Sequence, residues 1–169
     1  PDTQNTMKPQ AQHFMAGILN RLHAGAAFLN PIANSYDRLQ PGYEAPVAIC
    51  WSDVGNRSAT IRTPDTSASD KQTASRAELR SPDSSSNPYL VFSFLLHAGL
   101  AGIKEEEALM GPVRTNIYHM PDKELAERNI RLLPTSLNQA LDELDKNNSL
   151  RQTFGSNFID HYISTIQTQ

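Results

Sequence analysis

Three charges in five residues, Arg76-Ala77-Glu78-Leu79-Arg80, leave this part of the chain few ways to fold. As a strand it sets Arg76, Glu78 and Arg80 on one face and Ala77 and Leu79 on the other, because successive side chains alternate. The polar face then reads basic, acidic, basic. A carboxylate between two guanidiniums suits a site that holds a divalent cation beside phosphate or carboxylate oxygens. The competing reading is a solvated, salt-bridged strand face. Neighbouring segments decide between the two.

Residues 47–51, Val-Ala-Ile-Cys-Trp, read as an apolar strand, and Asp53-Val54-Gly55-Asn56 as a turn. Residues 58–62 alternate polar Ser58, Thr60 and Arg62 with apolar Ala59 and Ile61. Together with residues 76–80 they predict an antiparallel three-stranded meander whose arginines converge on one side. Arg57 has the opposite parity to Arg62, so it belongs to the turn or to a local irregularity. Residues 63–75, poor in apolar side chains, read as a mobile loop.

Helical periodicity flanks these strands. Phe14, Ile18 and Leu22 recur every four residues in a helix spanning 9–30 that Asn30-Pro31 ends. Gly17 and Gly25 weaken that helix but admit a second backbone close to it. Residues 30–46, with three prolines, read as an ordered loop whose best charged candidates are Arg38 and Glu44. Asn87 and Pro88 cap and open a helix through residue 103 that is apolar nearly all round, which predicts central burial. Its His97 reads as a hydrogen-bonded core residue. Residues 104–107 read as the solvated start of a short helix ending near Gly111-Pro112. Thr135 or Ser136 caps a segment with Leu137, Leu141 and Leu144 inward, and Ser149 and Ser156 begin two more, the first closed by Gly155. The fold class is α+β, an antiparallel sheet packed against several helices.

Composition narrows function. A length of 169 residues fits one domain, and a formal charge of −3 offers no basic field for nucleic acid or an anionic membrane. An arginine-rich site must therefore be local. Cys50 is the single cysteine, set in an apolar strand without a paired histidine, and reads as a packing residue. His13 and His23 are ten residues apart, not the i, i+4 spacing of a helical metal pair. No run reaches the roughly 20 apolar residues of a membrane span and residues 1–12 hold no signal-peptide core, so a cytoplasmic location is expected. No phosphate-binding glycine loop, Ser/His/Asp set or Cys-x-x-Cys pair occurs.

The order of motifs resembles a known family. Asn34-Ser-Tyr-Asp-Arg38-Leu-Gln-Pro-Gly-Tyr-Glu44-Ala-Pro46, then Asn56-Arg57-Ser58, Ile61-Arg62, Arg76-Ala-Glu-Leu-Arg80, Ser81-Pro-Asp83 and Asn87-Pro-Tyr-Leu90 resemble the C-terminal half of the type I glutamine synthetase catalytic domain. The resemblance runs from about His13 to Ile163 and makes the sheet a half-barrel of that domain. It implies a fragment, residues 1–169, without the N-terminal β-grasp domain, the first part of the catalytic domain or the family's closing segment. A chain that begins on Pro1 fits that expectation.

For the parent protein the resemblance implies ATP-dependent ligation of ammonia to the glutamate side chain through an acyl phosphate, in a homo-oligomeric ring. Mg2+ or Mn2+ would be required. Arg38 and Arg80 would hold glutamate; Arg57, Arg62 and Arg76 would contact phosphates; Glu78 would ligate the metal. Glu44 resembles the flap glutamate that shields the intermediate and helps deprotonate ammonium. Tyr118 matches the tyrosine adenylylated in some members, though a structural role is the reading taken here. The turn at Asp53-Val54-Gly55 is one residue longer than the family pattern, which bears on the placement of Arg57. Two rivals share these motifs: a ligase joining glutamate to a polyamine or other amine, and a noncatalytic structural relative. The fragment alone is expected to be inactive.

Overall fold

The computed structural model describes residues 7–53, 55–64 and 76–168. Residues 65–75, most of the expected mobile loop, and Val54 of the expected turn lie outside the described residues. The chain runs α1 (Pro9–Leu29), α2 (Ala33–Arg38), β1 (Ala48–Ser52), β2 (Ala59–Arg62), β3 (Glu78–Leu79), α3 (Pro88–Lys104), α4 (Asp122–Glu127), β4 (Arg131–Leu132), α5 (Leu137–Lys146), α6 (Asn148–Phe154) and α7 (Ser156–Gln167). The α+β class holds: one small open sheet lies against helices.

The sheet order is β3-β2-β1-β4. β3 pairs antiparallel with β2, Arg62 opposite Glu78, and β4 pairs antiparallel with β1. β1 and β2 are parallel, Ala48 opposite Ala59 and Ser52 opposite Arg62, so the sheet is mixed and the expected all-antiparallel meander is corrected. The reason lies in the connection. Asn56 donates to the carbonyls of Val113 (3.0 Å) and Thr115 (2.8 Å) and accepts from the Ser58 amide (3.1 Å). Asp53, its side chain 2% exposed, takes two hydrogen bonds from Arg114 at 2.9 and 2.6 Å. Bolted to residues 113–115, the connection returns the chain to the start of β1, where Val47 and Ala48 both donate to Ser58 O. Parallel neighbours normally need a crossover of a dozen or more residues; strands this short manage with six.

β1 is buried on both faces, which explains its unbroken apolar run. Ile49 and Trp51 join the main core with Leu22, Phe28 and Leu141, whereas Ala48 and Cys50 join a second cluster with Val113, Ile117, Leu125 and Ile130. The period of two thus splits one strand between two cores.

α1 and α3 meet along glycines. A Cβ on Gly102 would lie 2.7 Å from Gly17 N, and one on Gly17 would lie 2.7 Å from Gly102 Cα, so neither position has room for a side chain. That seam buries Val91, Phe94, Ala98, Gly99 and Gly102. Tyr89, Phe92, Leu96 and Leu100 are exposed, so α3 is a half-covered helix rather than the central one its composition predicts. An apolar circumference sets how much surface can be buried; the neighbours present set how much is.

Asn87 accepts from Tyr89 N (3.0 Å) and Pro88 opens α3, as expected. His97 meets the Thr153 hydroxyl at 2.8 Å. Three local readings are corrected. Residues 30–46 contain a short helix, α2, rather than only loop. Residues 105–111 form no helix: the Glu107 carboxylate is drawn onto Arg21 of α1 (2.5 Å) while His13 donates to the Glu107 carbonyl (2.8 Å). Asn147, not Ser149, caps α6. Ser136 caps α5, and Gly155, at φ 87°, separates α6 from α7 as its lack of a Cβ allows.

Candidate active site

The predicted site residues gather at the β2–β3 edge. Arg62 faces Glu78 across the strand pair, its Nη2 at 2.6 Å and Nε at 3.2 Å from Oε2. Arg76 takes the other oxygen, Nε at 3.0 Å and Nη2 at 2.8 Å from Oε1. The Arg62 hydrogen bond above all, and the Arg76 bond after it, hold Glu78 below its ordinary carboxyl value against the opposing effect of burial. The basic, acidic, basic arrangement therefore exists with one member exchanged: Arg62 stands where the strand reading put Arg80. The backbone of Arg80 keeps the β2 register, its amide donating to Thr60 O at 2.9 Å one step past the Ile61–Leu79 pair, but its side chain is drawn onto carbonyls of the neighbouring loops rather than onto Glu78.

Arg80 instead ties two loops together. Its Nη2 donates to Glu44 O at 3.0 Å and its Nη1 donates to Arg57 O. Burial, and after it the charge of Arg62, lower its affinity for the proton. Arg57 sits in the turn before β2, as its parity required, and forms an ion pair with Glu44. Arg38, the last residue of α2, donates from Nη2 to Ser81 O at 2.6 Å, which brings it to the chain position beside Arg80; its buried Nε has no hydrogen-bond partner among the described residues. Tyr118 donates its hydroxyl to Ala45 O at 2.8 Å.

Five arginines thus converge with two glutamates, in a chain whose net charge is negative. Such an excess of guanidinium fits an anionic ligand with several oxygens. A metal centre is another matter. No group of three or more His, Cys, Asp or Glu side chains able to hold a metal occurs among the described residues. Glu78 supplies at most two of the six oxygens that Mg2+ takes, and both already receive hydrogen bonds from arginine. The residues present do not make a metal site by themselves. Two sets of contacts had no sequence signal at all: Arg114 to Asp53, and Tyr118 to Ala45. Asn56 stood in a matched motif, but its two long-range carbonyl partners could not be read from its neighbours.

The family described as "Glutamine synthetase, catalytic domain" matches residues 1–168. The protein named glutamine synthetase in Methanosarcina mazei is 42% identical over 163 residues, 96% of this chain and 35% of the relative. The one in Thermotoga maritima is 43% identical over 167 residues, 99% of this chain and 37% of the relative, and that of Thermococcus kodakarensis 45% over 161 residues, 94% and 35%. The matched family is described as a catalytic domain, and the match covers nearly the whole chain. The chain belongs to the glutamine synthetase family, and it spans about a third of the length of these curated relatives. No helix among the described residues is long and apolar enough to cross a membrane.

Proposed function

We propose that the polypeptide to which this chain belongs joins ammonia to the side-chain carboxylate of glutamate at the expense of ATP. The observation that carries the reading is the convergence of Arg38, Arg57, Arg62, Arg76 and Arg80 on one edge, where Glu44 and Glu78 are the carboxylates paired with them among the described residues. Phosphoryl transfer places negative charge on equatorial oxygens, and fixed cations aimed at them supply most of the stabilisation.

The glutamate side-chain oxygen attacks the γ-phosphorus of ATP, ADP leaves, and the acyl phosphate forms. Ammonia then attacks the acyl carbon and phosphate departs. Arg57, Arg62 and Arg76 bind the transferring phosphoryl oxygens, and Arg38 with Arg80 hold the substrate carboxylates. Glu44 accepts the proton that ammonium loses and, with its loop, keeps water from hydrolysing the acyl phosphate. Glu78 would be one ligand of a divalent cation whose other ligands would have to come from outside the described residues, and such a cation would add charge stabilisation at the phosphates. The active unit is a homo-oligomer of the longer chain.

The test is ATP-dependent phosphate release by the full-length protein with glutamate and, in turn, ammonia, hydroxylamine, putrescine and ethanolamine. Release with ammonia is expected. Release only with an organic amine would assign a different acceptor, and no release from folded, metal-supplied protein would make the family member noncatalytic.

A further inference from the structure

Glu44 carries an unusual backbone for the residue it is. Its φ of 54° lies in the left-handed region, which a non-glycine residue keeps when its surroundings fix it. The loop just before it is exposed from Gln40 to Glu44, so no core of its own does the fixing. Burial begins one residue later, at Ala45. Three contacts from three separate segments meet there: Arg57 on the Glu44 carboxylate, Arg80 on the Glu44 carbonyl at 3.0 Å, and the Tyr118 hydroxyl on the Ala45 carbonyl at 2.8 Å. The two arginines belong to the anion-binding cluster and are needed there. Tyr118 has no such task, and its ring is seated on the second core with Val113 and Ile117, a rigid base. Burial also raises the phenol above its ordinary value, so it remains a donor at neutral pH.

We infer that Tyr118 is a positioning residue: its hydroxyl, through the carbonyl of Ala45, holds the Glu44 loop in the conformation that points the Glu44 carboxylate at the incoming amine. The catalytic part rests on the ligase reading above; the conformational part does not. Tyr118→Phe keeps the ring in its seat and deletes one hydrogen bond.

Two measurements on the full-length protein test it. The first is amide hydrogen exchange, which needs no activity: Tyr118→Phe should speed exchange several-fold at residues 43–45 while residues 113–117 and β1 keep theirs. Unchanged exchange at 43–45 overturns the inference, as does acceleration spread over the second core. The second is kinetic. Tyr118→Phe should lower kcat/KM for ammonium about tenfold, the scale of one lost hydrogen bond, with the KM values for glutamate and ATP within twofold. Phosphate release in the absence of amine should rise. In a Glu44→Gln background the same substitution should change kcat/KM less than twofold, because the residue it acts through is gone. A full tenfold loss in that background overturns the inference. Wild-type protein that releases no phosphate with any amine would sink the ligase reading and with it the catalytic part, and exchange at 43–45 would then decide the conformational part.

Discussion

Arg62 and Glu78 stand directly opposite each other on neighbouring antiparallel strands, with the guanidinium Nη2 2.6 Å from Oε2. The pair is the point where the sheet becomes a site: backbone pairing fixes the register, and the register fixes which arginine the carboxylate meets. A cross-strand pair of opposite charge contributes modestly to a sheet, about 0.2–1 kcal/mol. Its larger effect is to hold Arg62 straight, beside the charge of Arg80.

The first prediction concerns pH. Glu78 is held below its ordinary value of 4.5, so the folded state binds its proton less readily than the unfolded chain does. Its stabilising contribution is complete above that value and is lost as pH falls through the lower folded one. The stability difference between the wild type and Glu78→Gln, from urea unfolding, should be constant from pH 7 to about pH 5. It should shrink steadily below 4.5. A difference independent of pH down to 3 would show that the carboxylate charge is not what arginine stabilises.

Asn56 offers a test of the parallel β1–β2 connection. Its amide donates to two carbonyls and its oxygen accepts from Ser58, all in a buried setting. Asn56→Ala should cost about 2–4 kcal/mol, since several buried partners lose their bonds together. Asn56→Asp should cost at least as much at neutral pH, because it replaces two donors with a charged acceptor facing the Val113 and Thr115 carbonyls. Chemical denaturation of both variants measures this; a loss under 0.5 kcal/mol for Asn56→Ala would mean the connection is held otherwise.

The glycine seam predicts a contrast. Gly102→Ala forces the added methyl against backbone atoms of α1 and should destabilise by about 3 kcal/mol, the upper range for overpacking. Gly111→Ala meets open space and should stay within about 0.5 kcal/mol of wild type. Equal midpoints for the two variants would show that α1 and α3 sit farther apart than described.

Cys50 should be silent in the folded protein. The side chain is fully buried, and burial pushes the thiol up to about 12. A thiol reagent at pH 8 should label it only after unfolding in denaturant; rapid native labelling would contradict its burial on β1 within the second core.

Local signals written within a few residues were legible in the chain. Asn87-Pro88 capped its helix, Asn30-Pro31 ended α1, Gly155 parted α6 from α7, and the parity of Arg57 put it in a turn. The motif series from Asn34 to Leu90 pointed to the family that the comparison then showed. What the chain could not state were relations between distant segments. Whether β1 and β2 run parallel depends on Asn56 and Asp53 finding residues 113–115, some 57 to 61 positions away. That Arg62 joins Arg76 on Glu78 depends on strand register, which the residues next to Glu78 in the chain do not state. How much of α3 is covered depends on which helices reach it, and its composition is the same either way. Local rules act through dihedral preference and side-chain period, which any short stretch carries. Pairing, register and burial are properties of two segments at once, and only the folded chain brings the second one.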